Sequence, residues 1–379
     1  MAQPIYLDYN ATTPVDPRVA ETMWPFVTEH FGNPSSAHEF GRTAKAAVDE
    51  ARSQVAGMLG CRADEIVFTG GGSESNNAAI KGVAWSQCER GNHIITSQVE
   101  HPAVLNPLRW LERTGFGVTY LPVDRTGMVS AEDVAAAITP QTILITIMHA
   151  NNEVGTIEPV AAIGKLARQH GVLFHTDAAQ SAGKIPTLVD ELNVDLLTIA
   201  GHKLYAPKGV GALYVRRGVK IEPLIHGAGH EGGRRAGTEN VPHIVALGEA
   251  CQLATTELPA RQARLTELRD YFHDGLKKLF GDRLHLNGHP TSRLPNTLNV
   301  SFEGRIGGEV LDALGEVAAS TGSACHAGSH ELSPVLKAMN VPERIGLGAV
   351  RFSLGQGTTR SEIDRVLELF QTNVLRRLA

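Results

Sequence analysis

The sequence has no apolar stretch approaching the ~20 residues of a membrane span, so no membrane association is expected. Its first residues, Met-Ala-Gln-Pro-Ile-Tyr-Leu-Asp, form neither a basic nor an apolar segment, and no secretory signal is expected. Cysteine is scarce: four residues, at 61, 88, 251 and 325, with neither paired nor metal-ligand spacing. That excludes a disulfide framework and a cysteine-built metal site. It predicts free thiols in a reducing, cytoplasmic setting, and no metal. Positive charge is not in excess, with 35 basic against 40 acidic residues and a net charge of −5. Nothing in that balance favours direct binding of nucleic acid or anionic lipid. Internal repeats, low-complexity tracts and flexible linkers are missing too. What is present suits a globular protein: 42% hydrophobic and 20% charged residues in a chain of 379. That length accommodates one large domain and a smaller one.

Short β-branched apolar runs alternate with helical patterns from residue 65 to about 215. The runs at 65–69, 93–97, 118–122, 142–149, 172–177, 195–200 and 210–215 read as strands. Segments 73–85 and 160–169 carry the 3.6-residue period of helices. The alternation predicts an α/β fold, a mostly parallel central sheet with helices on both faces. In such folds ligands gather beyond the carboxyl ends of strands, and His101, Asn152, Asp177 and Lys203 all fall there. Ahead of this core, Phe40, Ala44, Ala47, Val48, Ala51, Val55 and Met58 predict one buried helix face. After it, residues 243–279 predict a long helical stretch broken near Pro259. From about 260 the pattern becomes α+β, with strands near 299–302 and 350–353 and a last amphipathic helix over 361–375. The expected division is a large domain, 13–259, and a smaller C-terminal α+β domain built from 1–12 and 260–379.

The chemistry centres on Lys203, in Gly-His-Lys, 26 residues after Asp177, in His-Thr-Asp-Ala-Ala-Gln. A lysine just past an apolar strand loses its proton readily and can capture an aldehyde. An aspartate closing another strand can keep a pyridine nitrogen protonated. Together they are what a pyridoxal phosphate (PLP) enzyme requires, although either alone is commonly a surface charge or a turn residue. Gly70-Gly71-Gly72-Ser73 joins a strand to a helix whose first N–H groups suit a phosphate; the bland alternative is a turn capped by Ser73. His101 starts another helix, where an imidazole can stack on an aromatic cofactor and shuttle protons. Asn152 follows an apolar run, and Gln180 falls in what reads as the first turn of a helix after Asp177. Arg351, in an apolar strand, is costly to bury unless it clamps an anion such as a carboxylate. Cys325 stands apart from the other cysteines in a Gly/Ser/Ala-rich segment that implies access for a reactive thiol.

With Tyr-Leu-Asp-Tyr-Asn-Ala-Thr-Thr-Pro, Gly-Asn-Pro-Ser-Ser-Ala-His, Gly-Ser-Ala-Cys and Arg-Phe-Ser-Leu-Gly also in order, the chain resembles the cysteine desulfurases of PLP fold-type I. It is similar to the long-loop group of these class-V aminotransferase-like enzymes. The resemblance implies that Lys203 holds PLP, Asp177 pairs with its ring nitrogen, Gln180 with its ring hydroxyl, and His101 stacks on the ring. It implies that Gly72, Ser73 and His202 bind the phosphate, with Thr238 reaching across from the second copy of a homodimer. Asn152 and Arg351 are then expected to hold the carboxylate of L-cysteine, and Cys325 to accept its sulfur and pass it to an acceptor protein (a scaffold or a thiolation enzyme). Ala200 departs from the family, which usually has a hydroxyl residue three positions before the lysine, so one phosphate contact is lost. Gly-His-Glu at 229–231 replaces the commoner Gly-Gln-Glu. The rival readings are a selenocysteine lyase or another PLP-dependent lyase or aminotransferase, and a weakly active sulfur-relay subunit. Cys325 favours the desulfurase over the first, and intact Lys203 and Asp177 over the second.

Overall fold

The computed structural model describes residues 4–321 and 331–375. The chain starts with the short strand β1 (Ile5–Tyr6), then helices α1 (Pro17–Thr28) and α2 (Glu39–Leu59). Seven strands follow: β2 (Ile66–Thr69), β3 (His93–Ser97), β4 (Gly117–Leu121), β5 (Thr142–Thr146), β6 (Leu173–Asp177), β7 (Leu196–Ala200) and β8 (Gly211–Val215). They form one sheet in the order β2-β8-β7-β6-β5-β3-β4, parallel throughout except for the two pairings of β8. Each expected strand is therefore present, shifted or shortened by a few residues at its ends. The continuous apolar runs follow from burial on both faces. Along β8, Ala212 and Tyr214 join the core on one face, while Leu213 and Val215 join α3 (Gly72–Ser86) and α4 (Pro102–Glu112) on the other.

A second, separate core lies around a three-stranded antiparallel sheet of β9 (Leu284–Asn287), β10 (Thr297–Phe302) and β12 (Ala349–Ser353). β1 pairs in parallel with β11 (Val317–Ala318), and Ile5 and Leu7 are buried in this second core. One helix, Val241–Phe280, joins the two cores. Its first half buries Ile244, Leu247 and Cys251 in the first core, and its second half buries Leu268, Phe272 and Leu276 in the other.

Three expectations need correction. The long helix is not broken at Pro259, which lies inside it. Proline removes one N–H bond, a local loss of about 3 kcal/mol, whereas each half of the helix is anchored by its own core. Phe40 is not on the buried face of α2; it is 58% exposed and stacks on the still more exposed Phe31. Gln180 does not begin an α-helix either. Residues 178–185 form consecutive turns, closed by Ala182 N–H to the Ala178 carbonyl and Ile185 N–H to the Ser181 carbonyl.

Candidate active site

A cavity of about 690 Å³ opens beyond the carboxyl ends of β2, β3, β5, β6 and β7, within the ~300–1,000 Å³ usual for small-molecule sites. Among the residues singled out from the sequence, Gly72, Ser73, His101, Asn152, Asp177, Gln180, His202, Lys203 and Arg351 line it. Thr238 is exposed and is not among the lining residues. Cys325 lies outside the described residues.

Lys203 ends a single 3₁₀ turn, Gly201–Lys203, directly after β7. A glycine is needed at 201, because a Cβ there would sit 2.8 Å from Val210 Cγ1 and 2.9 Å from its carbonyl oxygen. Lys203 Nζ donates to the carbonyl oxygens of Asn10 (2.5 Å) and Ala11 (2.7 Å), and no carboxylate is among these partners. Burial, then the nearby Arg351 guanidinium, push its pKa down to about 8. A usable fraction of free amine therefore exists near neutral pH.

Asp177 closes β6, only 7% exposed, and both of its oxygens are engaged. Oδ2 accepts from Asn76 Nδ2 at 2.7 Å and Oδ1 from the Ala179 N–H at 2.9 Å. The carboxylate is thus held in one orientation at the cavity wall. His101 is the N-cap of α4, and its Nδ1 accepts from the Ala103 N–H at 3.1 Å, which puts the ring proton on Nε2. Burial holds its pKa below the ordinary value, with Asp177 opposing. His202 is pushed to about 4, by burial first and then by Lys203, Lys208 and Lys184. Both imidazoles are neutral at pH 7.

At the other end of the cavity α3 starts at Gly72, not after a capping Ser73. Its N-cap is Gly71, with φ of 142°, and among the described residues no side chain caps the first-turn N–H groups. A Cβ on Gly72 would lie 3.2 Å from Ala200 Cβ, so glycine leaves this end open. Open helix N–H groups and their positive dipole end suit a phosphate.

Arg351, 5% exposed on β12, is buried as an ion pair inside the chain. Nη2 donates to Asp8 Oδ1 at 2.7 Å and Nη1 to the Asn152 carbonyl at 3.0 Å, while Nε has no partner among the described residues. The anion that sequence reasoning asked for is thus in part supplied by Asp8. Sequence reasoning also missed Asn10, Asn76 and Lys184. Asn10 is the hub: its carbonyl takes both Gln180 Nε2 (2.9 Å) and Lys203 Nζ. Its Nδ2 reaches the Asn152 carbonyl and Thr297 Oγ1. The only signal for it was the polar run from Asp8 to Thr13, placed directly after an apolar strand. A nucleophilic amine, an oriented carboxylate, an open helix start and a guanidinium therefore converge on one cavity. That donor set fits PLP and the carboxylate of an amino acid.

A model of the aminotransferase class-V family matches residues 5–366. The cysteine desulfurase IscS of Dictyoglomus turgidum is 52% identical over 374 residues, covering 98% of this chain and 94% of the relative. The IscS of Methanosarcina thermophila is 53% identical, covering 96% and 90%. Among solved structures, a NifS-like protein superposes with a TM-score of 0.92 at 40% identity, over 99% of this chain and all of the other.

Proposed function

Because the chain belongs to the class-V aminotransferases and, within them, to the cysteine desulfurases, we propose that its cavity converts L-cysteine to L-alanine and leaves the sulfur as a persulfide on Cys325. Bound in the cavity, PLP supplies an aldehyde that captures the substrate amine and a ring that accepts the electrons left at Cα. Lys203 would hold the aldehyde, Asp177 the ring nitrogen, Gln180 the ring hydroxyl, and Gly72, Ser73 and His202 the phosphate. Arg351 and Asn152 orient the substrate carboxylate, which shares the guanidinium with Asp8. Lys203 Nζ, kept near a pKa of about 8, takes the Cα proton. His101, neutral and carrying its proton on Nε2, would stack on the ring and serve as proton shuttle. The Cys325 thiolate attacks the substrate sulfur; the Cβ–S bond breaks, its electron pair takes a proton at Cβ, Lys203 returns the proton to Cα, and alanine leaves. Sulfur then passes to an acceptor protein of the scaffold or thiolation type.

The observation that carries this reading is the meeting of Lys203, Asp177, the open start of α3 and Arg351 in one cavity. The two cores, spanned by one helix, support the division into 13–259 and 1–12 with 260–379, although Val335, Leu336 and Met339 from the second part pack in the first core. The reading extends to a cytoplasmic homodimer, in which Thr238 of the second copy completes the phosphate site. The solved structure of SspA in complex with cysteine, 42% identical with a TM-score of 0.83 over 92% of this chain, supports cysteine as substrate. The test is a cysteine pulse on the PLP-loaded protein, with alanine assayed and peptides weighed by mass spectrometry. One added sulfur is expected on the peptide carrying Cys325. Cys325→Ser should form neither alanine nor persulfide, while Cys61, Cys88 and Cys251 each tolerate Ala. Full turnover of cysteine by Cys325→Ser would overturn the proposal, and turnover of selenocysteine alone would favour a selenocysteine lyase.

A further inference from the structure

Behind the cavity wall lies a buried lysine that the mechanism does not use. Lys184 is 7% exposed and does not line the cavity. Its partners among the described residues are two amide oxygens: Gln180 Oε1 at 3.0 Å and Asn10 Oδ1 at 3.3 Å. Gln180 in turn donates through Nε2 to the Asn10 carbonyl at 2.9 Å. An amide side chain can be turned over without changing its shape, so only its neighbours decide which end faces where. Here every neighbour agrees. Lys184 Nζ carries at least two hydrogens in either protonation state, enough to donate to both oxygens, so it claims Oε1 of Gln180 and Oδ1 of Asn10. Asn10 Oδ1 also accepts from Asn296 Nδ2 at 3.0 Å, and Asn10 Nδ2 donates to Thr297 Oγ1 at 2.8 Å. With Oε1 committed to Lys184 and one Nε2 hydrogen to Asn10, the second Nε2 hydrogen of Gln180 is left for the cavity that Gln180 lines.

We infer that Lys184 is a positioning residue, which locks the Gln180 amide so that it offers an N–H, and not a carbonyl oxygen, to the ring oxygen of the cofactor. This rests on the assignment of Gln180 to the ring hydroxyl. Without Lys184, Oε1 would be a buried acceptor with no donor, a state that a flip or rotation toward the cavity relieves. A carbonyl oxygen would then face an oxygen of the cofactor, and the contact would turn repulsive. The turn that brings the two residues together depends on Gly183, whose φ is +73° and whose Cβ, if present, would strike Leu204 Cδ2 at 2.3 Å.

The experiment compares apo-protein affinity for PLP with that for 3-deoxypyridoxal phosphate, which lacks only the ring hydroxyl. Dissociation constants are read from chromophore titration. Lys184→Met is expected to weaken PLP binding roughly 10-fold and to leave the deoxy analogue within about 2-fold, in line with a lost ~1.4 kcal/mol interaction per tenfold. Equal weakening of both ligands, or of neither, overturns the inference, since a merely structural role does not distinguish them. Gln180→Leu, measured in parallel, tests the underlying assignment: it should show the same selective loss. If Gln180→Leu is selective and Lys184→Met is not, the positioning role fails alone. If neither is selective, the assignment of Gln180 fails and the inference with it. Should Lys184→Met not fold, Lys184→Leu replaces it with the same two outcomes.

Discussion

The cavity wall holds a half-buried lysine and the polar layer behind it a buried one, and both side chains bond to Asn10. Burial lowers both pKa values, that of Lys203 to about 8 and that of Lys184 to about 7. By acidity alone nothing separates the two amines. Yet Lys203 lines the cavity and Lys184 does not. A depressed pKa therefore marks a desolvated amine, and access decides whether that amine does chemistry or holds its neighbours in place.

The comparison breaks most sharply in activity. Lys203→Ala should lose at least ~10³-fold in alanine formation, the scale of a lost general base combined with lost cofactor attachment. Borohydride reduction of the loaded protein should fix PLP to the peptide carrying Lys203. Recovery of PLP on Lys184 would reverse the two roles.

A smaller effect is expected in stability. A lysine whose folded pKa lies below its unfolded value near 10.5 binds fewer protons when folded. Between pH 7 and about 10 the unfolded chain therefore carries the extra proton, and stability rises with pH across that window. Lys203→Ala and Lys184→Met each remove one such contribution. Urea midpoints of the apo protein should climb from pH 7 to pH 9.5 more steeply in wild type than in either variant. Parallel slopes would show that the buried amines are more solvated than their setting indicates.

The smallest effect lies at the phosphate end. Ala200 faces Gly72 at the open start of α3, where a hydroxyl can add one hydrogen bond to a charged group, worth ~1.5–3 kcal/mol. Ala200→Ser should tighten PLP binding roughly tenfold or more, measured by reconstitution of the apo protein. No change would mean that another group already serves that oxygen.

The strands were legible because most are short apolar runs with both faces buried, the edge strand β4 being only partly covered, and such runs are bounded by turn residues whatever the rest of the chain does. Lys203, Asp177, His101 and Gly72 were singled out because strand ends and helix starts are local features. Pro259 misled for the opposite reason: a local helix-breaking rule met a helix held from outside by two cores. Phe40 misled because periodicity shows which residues share a stripe, and not how far a neighbouring layer extends over it.

By itself, then, the sequence determined the order of elements and the residues placed at the mouths of strands, since these depend on hydrophobic period and turn chemistry within about ten residues. The tertiary structure alone decided what those residues meet. Asp8 reaches Arg351 across 343 positions, and Asn10 reaches Gln180 across 170. Which lysine opens to the cavity, which way Gln180 turns and how much of Arg351 remains for a substrate all follow from such meetings. They are set by the packing of the N-terminal segment between the two cores, and no local pattern encodes them.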